Sequence, residues 1–212
     1  MKSFTNQSFS FLEKLKSNNN SIWWHENKEK YITYIKEPLI SLSNSLGIFG
    51  EPHIFRPNRD VLFTPDKSPY KLNGSFFITQ KIVGIYFEII SKGSMLGGGL
   101  YEPASDQLLM WRKLLDKKEF VLKCKTVIEK MKNNNFTLSD NTLKTAPRGW
   151  PADHPEIELL RLKSLTFFKY YTKKQVLESN FEAMILQDCK YIEEWNSFLQ
   201  KYIKASSIPV KH

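Results

Sequence analysis

Lys81-Ile-Val-Gly-Ile-Tyr-Phe-Glu-Ile-Ile-Ser91 decides the fold class of this 212-residue chain. Val83, Ile85, Phe87 and Ile89 fall on one face of an extended backbone, and Gly84, Tyr86, Glu88 and Ile90 fall on the other. A period of two, rich in branched and aromatic residues, marks a strand that buries one side. Ser75 to Thr79 reads as a second strand, joined to the first through Thr79-Gln80-Lys81 as an antiparallel hairpin. Lys92-Gly93-Ser94 forms a second turn, into Met95 to Tyr101. Leu162 to Tyr171, rich in aromatic residues and threonine, is a further strand.

Helical spacing takes over on either side. Phe9 to Lys16 reads as a short helix ended by an asparagine run. A second helix is capped by Asn20 or Ser21 and carries the stripe Trp24, Tyr31, Ile35, Leu39, Leu42 and Leu46, with Gly47 as its stop. Pro38 interrupts that stripe and predicts a kink or a fresh helix after Glu37. Downstream, Ser105 to Leu115 and Lys118 to Met131 are helical, Asp153 caps a short helix over Pro155 to Leu160, and Lys173 to Glu178 and Phe181 to Lys204 close the chain. Val61 to Thr64 is long enough for only a brief strand. The pattern predicts an α+β fold: a mostly antiparallel sheet in the middle of the chain with helices at both ends packed on it. No linker, repeat or low-complexity tract divides residues 1–212, so a single domain is expected.

Composition narrows the function classes. Hydrophobic residues make up 41% and aromatic residues 14%, the make-up of a chain that buries a core. No stretch reaches the roughly 20 apolar residues of a membrane span, and the first residues lack the apolar run of a signal peptide. A cytoplasmic protein without a membrane partner is therefore expected. Cys124 and Cys189 share no metal or redox spacing and read as packed thiols; the histidines are scattered, so no metal or cofactor is expected. The net charge of +9 invites a nucleic-acid reading. Its densest lysine run, Lys113 through Lys132, alternates with apolar residues at helical spacing, which is what a solvated helix face looks like.

Positive charge is met mostly by lysine, so the places that keep arginine stand out. Four of the five arginines lie in, or just after, two proline-punctuated segments. The first runs from Arg56-Pro-Asn-Arg59-Asp60 through Thr64-Pro-Asp66-Lys67-Ser68-Pro-Tyr70-Lys71; the second is Lys144-Thr-Ala-Pro-Arg148-Gly-Trp150-Pro-Ala-Asp153-His154-Pro, followed by Arg161. A guanidinium is a planar fork of five donors suited to a carboxylate or phosphate, whether a ligand's or the protein's own.

Four stretches together resemble a family of bacterial conserved proteins known as domain of unknown function 2461. They are Asn19-Asn20-x-x-Trp23-Trp24, the Arg59 to Lys71 block, Gly97-Gly98-Gly99-Leu100-Tyr101-x-Pro103, and Leu143-Lys144-x-Ala146-Pro147-Arg148-Gly149-Trp150 continuing through His154-Pro155 to Leu162-Lys163-Ser164. The resemblance covers roughly residues 8 to 200. It implies one α+β domain and marks these segments as characteristic; it implies no chemistry.

The residues themselves support one leading expectation. The two arginine segments and the triple glycine converge on a cleft for a small phosphate- or carboxylate-bearing molecule. Arg56, Arg59, Lys67, Tyr70, Lys71, Gly98, Lys144, Arg148 and Arg161 are its candidate binding residues, and Asp66 and His154 are the candidate proton carriers should it be an enzyme. Against this stand internal bracing of long irregular loops by arginine–carboxylate networks, a nucleic-acid module using the basic surface with Trp23, Trp24 and Trp150, and a non-catalytic interaction domain.

Overall fold

The computed structural model describes residues 3–62 and 65–207. Its centre is a six-stranded sheet in the order β1-β2-β3-β4-β6-β5, formed by β1 (Pro52–Ile54), β2 (Asn73–Gln80), β3 (Val83–Ile90), β4 (Gly93–Leu100), β5 (Thr137–Leu138) and β6 (Leu165–Thr172). Both edge pairs are antiparallel, β1 on β2 with Pro52 opposite Ile78 and β5 on β6 with Thr137 opposite Phe168. Helices α1 (Asn6–Ser17), α2 (Ser21–Tyr31) and α3 (Glu37–Ser45) precede the sheet. Helices α4 (Ser105–Leu115), α5 (Lys118–Asn133), α6 (Ile157–Leu160), α7 (Lys173–Val176) and α8 (Phe181–Tyr202) follow its first four strands. The fold is the α+β arrangement that the alternation in β3 predicts. None of the described helices is long and apolar enough to cross a membrane.

Several details depart from the sequence reading. The short edge strands β1 and β5 carry no alternation long enough to register. Val61 and Leu62 are not strand, and Phe63 and Thr64 lie outside the described residues. Asp153 sits in a turn and does not cap α6, whose N-cap is Glu156.

The chain forms two compact units, each assembled from separated segments, so no single boundary or linker divides them. The first comprises Met1–Thr79, Tyr86–Leu96 and Tyr170–Asp188. Asn20 caps α2 by accepting a hydrogen bond from the amide of Trp23 at 3.0 Å. Between α2 and α3 the helix widens into a π turn over Ile32–Lys36. Pro38 is the physical cause at hand, since it has no N–H to give the carbonyl four residues earlier, on Tyr34. The Ser8 hydroxyl, fully buried on α1, donates to that Tyr34 carbonyl at 2.7 Å instead. The core behind β2 and β3 is aromatic, with Phe87 in ring contact with Phe4, Phe76 and Phe181.

The second unit comprises Gln80–Ile85, Gly97–Lys169 and Cys189–His212. Phe120, Cys124, Ile128 and Met131 form the buried stripe of α5. The lysines of that helix lie on the exposed side, where Lys123, Lys125 and Lys130 pair with Glu119, Glu156 and Glu194. Trp111 and Trp195 are fully buried, and each indole N–H is satisfied by a carbonyl, Leu159 at 2.9 Å and Leu165 at 3.0 Å. Burial pushes the Cys124 thiol up to about 12, so it stays protonated at neutral pH.

Candidate functional site

The first arginine segment is a long loop held at its base by strand-like pairing. The Arg59 amide donates to the Pro69 carbonyl at 2.9 Å, the Lys71 amide donates to Pro57 at 2.8 Å, and Asn58 bridges Tyr70. Asn19 then grips Tyr70 from both sides, accepting from its amide at 3.1 Å and donating to its carbonyl at 2.9 Å. The Tyr70 ring lies flat on Trp24, with centroids 4.1 Å apart at 12°, and is buried. Tyr70 is thus the anchor of the loop. The motif Asn19-Asn20-x-x-Trp23-Trp24 and the Arg59 to Lys71 block are two halves of this one fastening.

Side chains hold the tip of the loop. Asp66 accepts from the amide of Ser68 at 2.9 Å and from its hydroxyl at 2.5 Å, and its other oxygen meets the guanidinium of Arg59. These contacts, the Ser68 bonds first and Arg59 after them, draw the Asp66 carboxyl down to about 2. At neutral pH Asp66 is therefore ionised and engaged. Lys67 donates to the carbonyl of Val61 at 2.7 Å.

Arg56 and Lys71 stand differently. Arg56 is exposed and makes no hydrogen bond or ion pair among the described residues. Lys71 is half-buried with its ammonium 5.2 Å from the centre of the Phe55 ring, and no carboxylate reaches it among the described residues. Burial first, then the neighbouring charge of Arg56, lowers its pKa. The two cations thus lie near enough to repel each other, and among the described residues no carboxylate pairs with either.

The second segment is braced from within. Arg161 donates from Nε to the Leu143 carbonyl at 2.6 Å and from Nη2 to the Lys144 carbonyl at 3.3 Å, with Glu158 3.5 Å from Nη1. Trp150 donates from its indole to Asp116 at 3.0 Å. His154 accepts from the amide of Glu156 on Nδ1 at 3.0 Å and turns Nε2 towards Asp116 at 3.5 Å. Both ring nitrogens of His154 thus have partners within the fold. Lys144 and Arg148 are exposed, Arg148 beside Gly149, which takes a φ of 94° in the turn.

The triple glycine lies inside β4. A Cβ on Gly98 would come within 2.1 Å of the Ile192 side chain on α8 and 2.8 Å of the Gly84 carbonyl. Gly99 has a φ of 127°, and a Cβ there would meet the Leu165 carbonyl at 2.1 Å. The space these glycines leave is taken by a helix and a neighbouring strand. The two arginine segments belong to different units, the first segment to the first and the second segment with Gly98 to the second. Among the described residues no three histidine, cysteine or acidic side chains gather where a metal ion could be held.

One cluster was not assembled from sequence. Glu88 accepts on Oε2 from Asn73 at 2.6 Å and from the Tyr86 hydroxyl at 2.9 Å, and the Tyr86 ring lies 6.3 Å from Phe55. The alternation in β3 already puts Tyr86 and Glu88 on one face. Asn73 and Phe55 carry no local signal.

These features define a protein with an antiparallel sheet, flanking helices and a fastened basic loop. The chain belongs to the family DUF2461, conserved hypothetical proteins, which it matches over residues 7–198. No curated protein and no solved structure matches it.

Proposed function

We propose that this protein binds a small phosphate- or carboxylate-bearing molecule at its first arginine segment, with Arg56 and Lys71 as the anion-holding pair. The observation that carries the reading is the condition of those two cations. Bringing like charges together, one of them half-buried, costs free energy unless an anion joins them. The loop that presents them is fastened independently, by Asn19, Trp24 and Asp66, so neither cation is required to hold it. A pre-formed loop lowers the ordering cost of binding. The basic face of α5 supports the nucleic-acid reading less well, because three of its lysines already pair with glutamates. The same reading takes the protein to work in the cytoplasm, and as a binding protein, since Asp66 and His154 have partners of their own.

Thermal unfolding in phosphate, with sodium chloride matched for ionic strength, tests this. At ten times Kd a ligand adds about 1.4 kcal/mol, which for a chain of this size raises Tm by about 3 °C. The rise should vanish in an Arg56→Ala/Lys71→Met variant that melts like the wild type in chloride. An equal response in both proteins would refute the assignment.

A further inference from the structure

Glu88 is the counterpart of the cation pair. Its carboxylate is half-buried and held on one oxygen by two neutral donors, and among the described residues no cation reaches it. Charged groups withdrawn from water are ordinarily paired with each other. Here a carboxylate and two cations lie in the first unit, and among the described residues they do not pair. Phe55 lies between them, with the Lys71 ammonium 5.2 Å from its centre and the Tyr86 ring 6.3 Å away. The hydroxyl of that same Tyr86 donates to Glu88. Lys71 and Asn73 are two residues apart in the chain, so their backbones lie no more than about 7 Å from each other. Asn73 in turn donates to Glu88. The result is a short aromatic floor with positive charge at one end and a fixed negative charge at the other.

From this juxtaposition we infer that the ligand is bipolar: a phosphate or carboxylate joined by a short chain to an ammonium group, the anion on Arg56 and Lys71 and the ammonium on Glu88. This inference rests on the anion-binding reading above and names its substrate class. Asn73 and Tyr86 hold Oε2 and so aim the carboxylate, which leaves Oε1 as the acceptor; Phe55 offers the ring face along which the linking carbons lie. Because Glu88 is satisfied only by a ligand that brings a cation, the ligand's second charge acts as a selectivity element against simple anions.

Calorimetric titration with two matched pairs tests it: ethyl phosphate against 2-aminoethyl phosphate, and propionate against β-alanine. A hydrogen-bonded ammonium on a half-buried carboxylate should favour the amine-bearing member of at least one pair by about tenfold. Glu88→Gln keeps the shape and the acceptor for Asn73 and Tyr86. It should erase that preference while leaving the amine-free anion bound as well as before or better. Failure of all four probes to bind overturns the anion reading and this one with it. Binding without preference for the amine, or a preference that survives Glu88→Gln in a protein with an unchanged circular dichroism spectrum, overturns the bipolar assignment alone.

Discussion

The two arginine segments are written with the same residues, arginine, proline, aspartate and an aromatic ring, yet they leave their charges in opposite conditions. In the second, Arg161 is consumed by two carbonyls, and Trp150 and His154 converge on Asp116; Arg148 and Lys144 are exposed cations with no partner among the described residues, which cost almost nothing to leave alone. In the first, the work of holding the loop falls to Asn19, Trp24, Tyr70 and Ser68, and two cations remain coupled to each other beside Phe55. Arginine content therefore does not mark a site. The balance of each charge against its partners does.

The contrast breaks most decisively at Arg161. Replacing it with alanine removes charged donors from the carbonyls of Leu143 and Lys144 and should cost about 2 kcal/mol in chemical denaturation. A loss no larger than that of a surface substitution would mean the second segment is not braced as described. Asp116→Ala comes next: the Trp150 indole and His154 lose a shared acceptor that is itself half exposed, for about 1 kcal/mol. Fluorescence of Trp150 should shift to the red with the loss of its partner.

The first segment should respond in the opposite way. Lys71→Met keeps the contact with Phe55 and removes one of two repelling charges. Because folding lowers the pKa of Lys71, its protonated form costs stability below that lowered pKa, and the cost is relieved as pH rises towards 10.5. At neutral pH the variant should therefore match or exceed the wild type in stability, by no more than about 0.5 kcal/mol. A clear loss would make Lys71 a structural residue and equate the two segments.

How much of this was legible follows the physics of each signal. The strands β2, β3 and β4 and the long helices announce themselves because a period of two or 3.6 is a local property of the chain. The widened turn before Pro38 needed Ser8, twenty-six residues from Tyr34, to be understood. Candidate residues were legible by type, not by use. Tyr70, a candidate ligand contact by type, is a buried anchor; Gly98, another, is the space into which Ile192 fits. Whether Arg59 meets Asp66 or a guest, and whether Asn73 aims Glu88, depends on which strands and loops lie side by side. No spacing rule encodes that.

The smallest effect separates the two uses of arginine most finely. Asp66 ionises near 2 instead of its ordinary 3.8, owing first to the hydroxyl and amide of Ser68 and only then to Arg59. A carboxyl whose pKa is lowered by folding contributes stability above its unfolded pKa and loses it as pH falls through the folded one. The loop should therefore loosen between about pH 4 and pH 2, read as the carboxyl chemical shift of Asp66 in a carbon-13 titration. Ser68→Ala should raise the Asp66 midpoint more than Arg59→Ala does, and Asp66→Asn should remove the transition. If Arg59→Ala gave the larger rise, the guanidinium would be the principal fastening of the loop, just as Arg161 is in the second segment. The distinction between a braced segment and one with charge to offer would then rest on Arg56 and Lys71 alone.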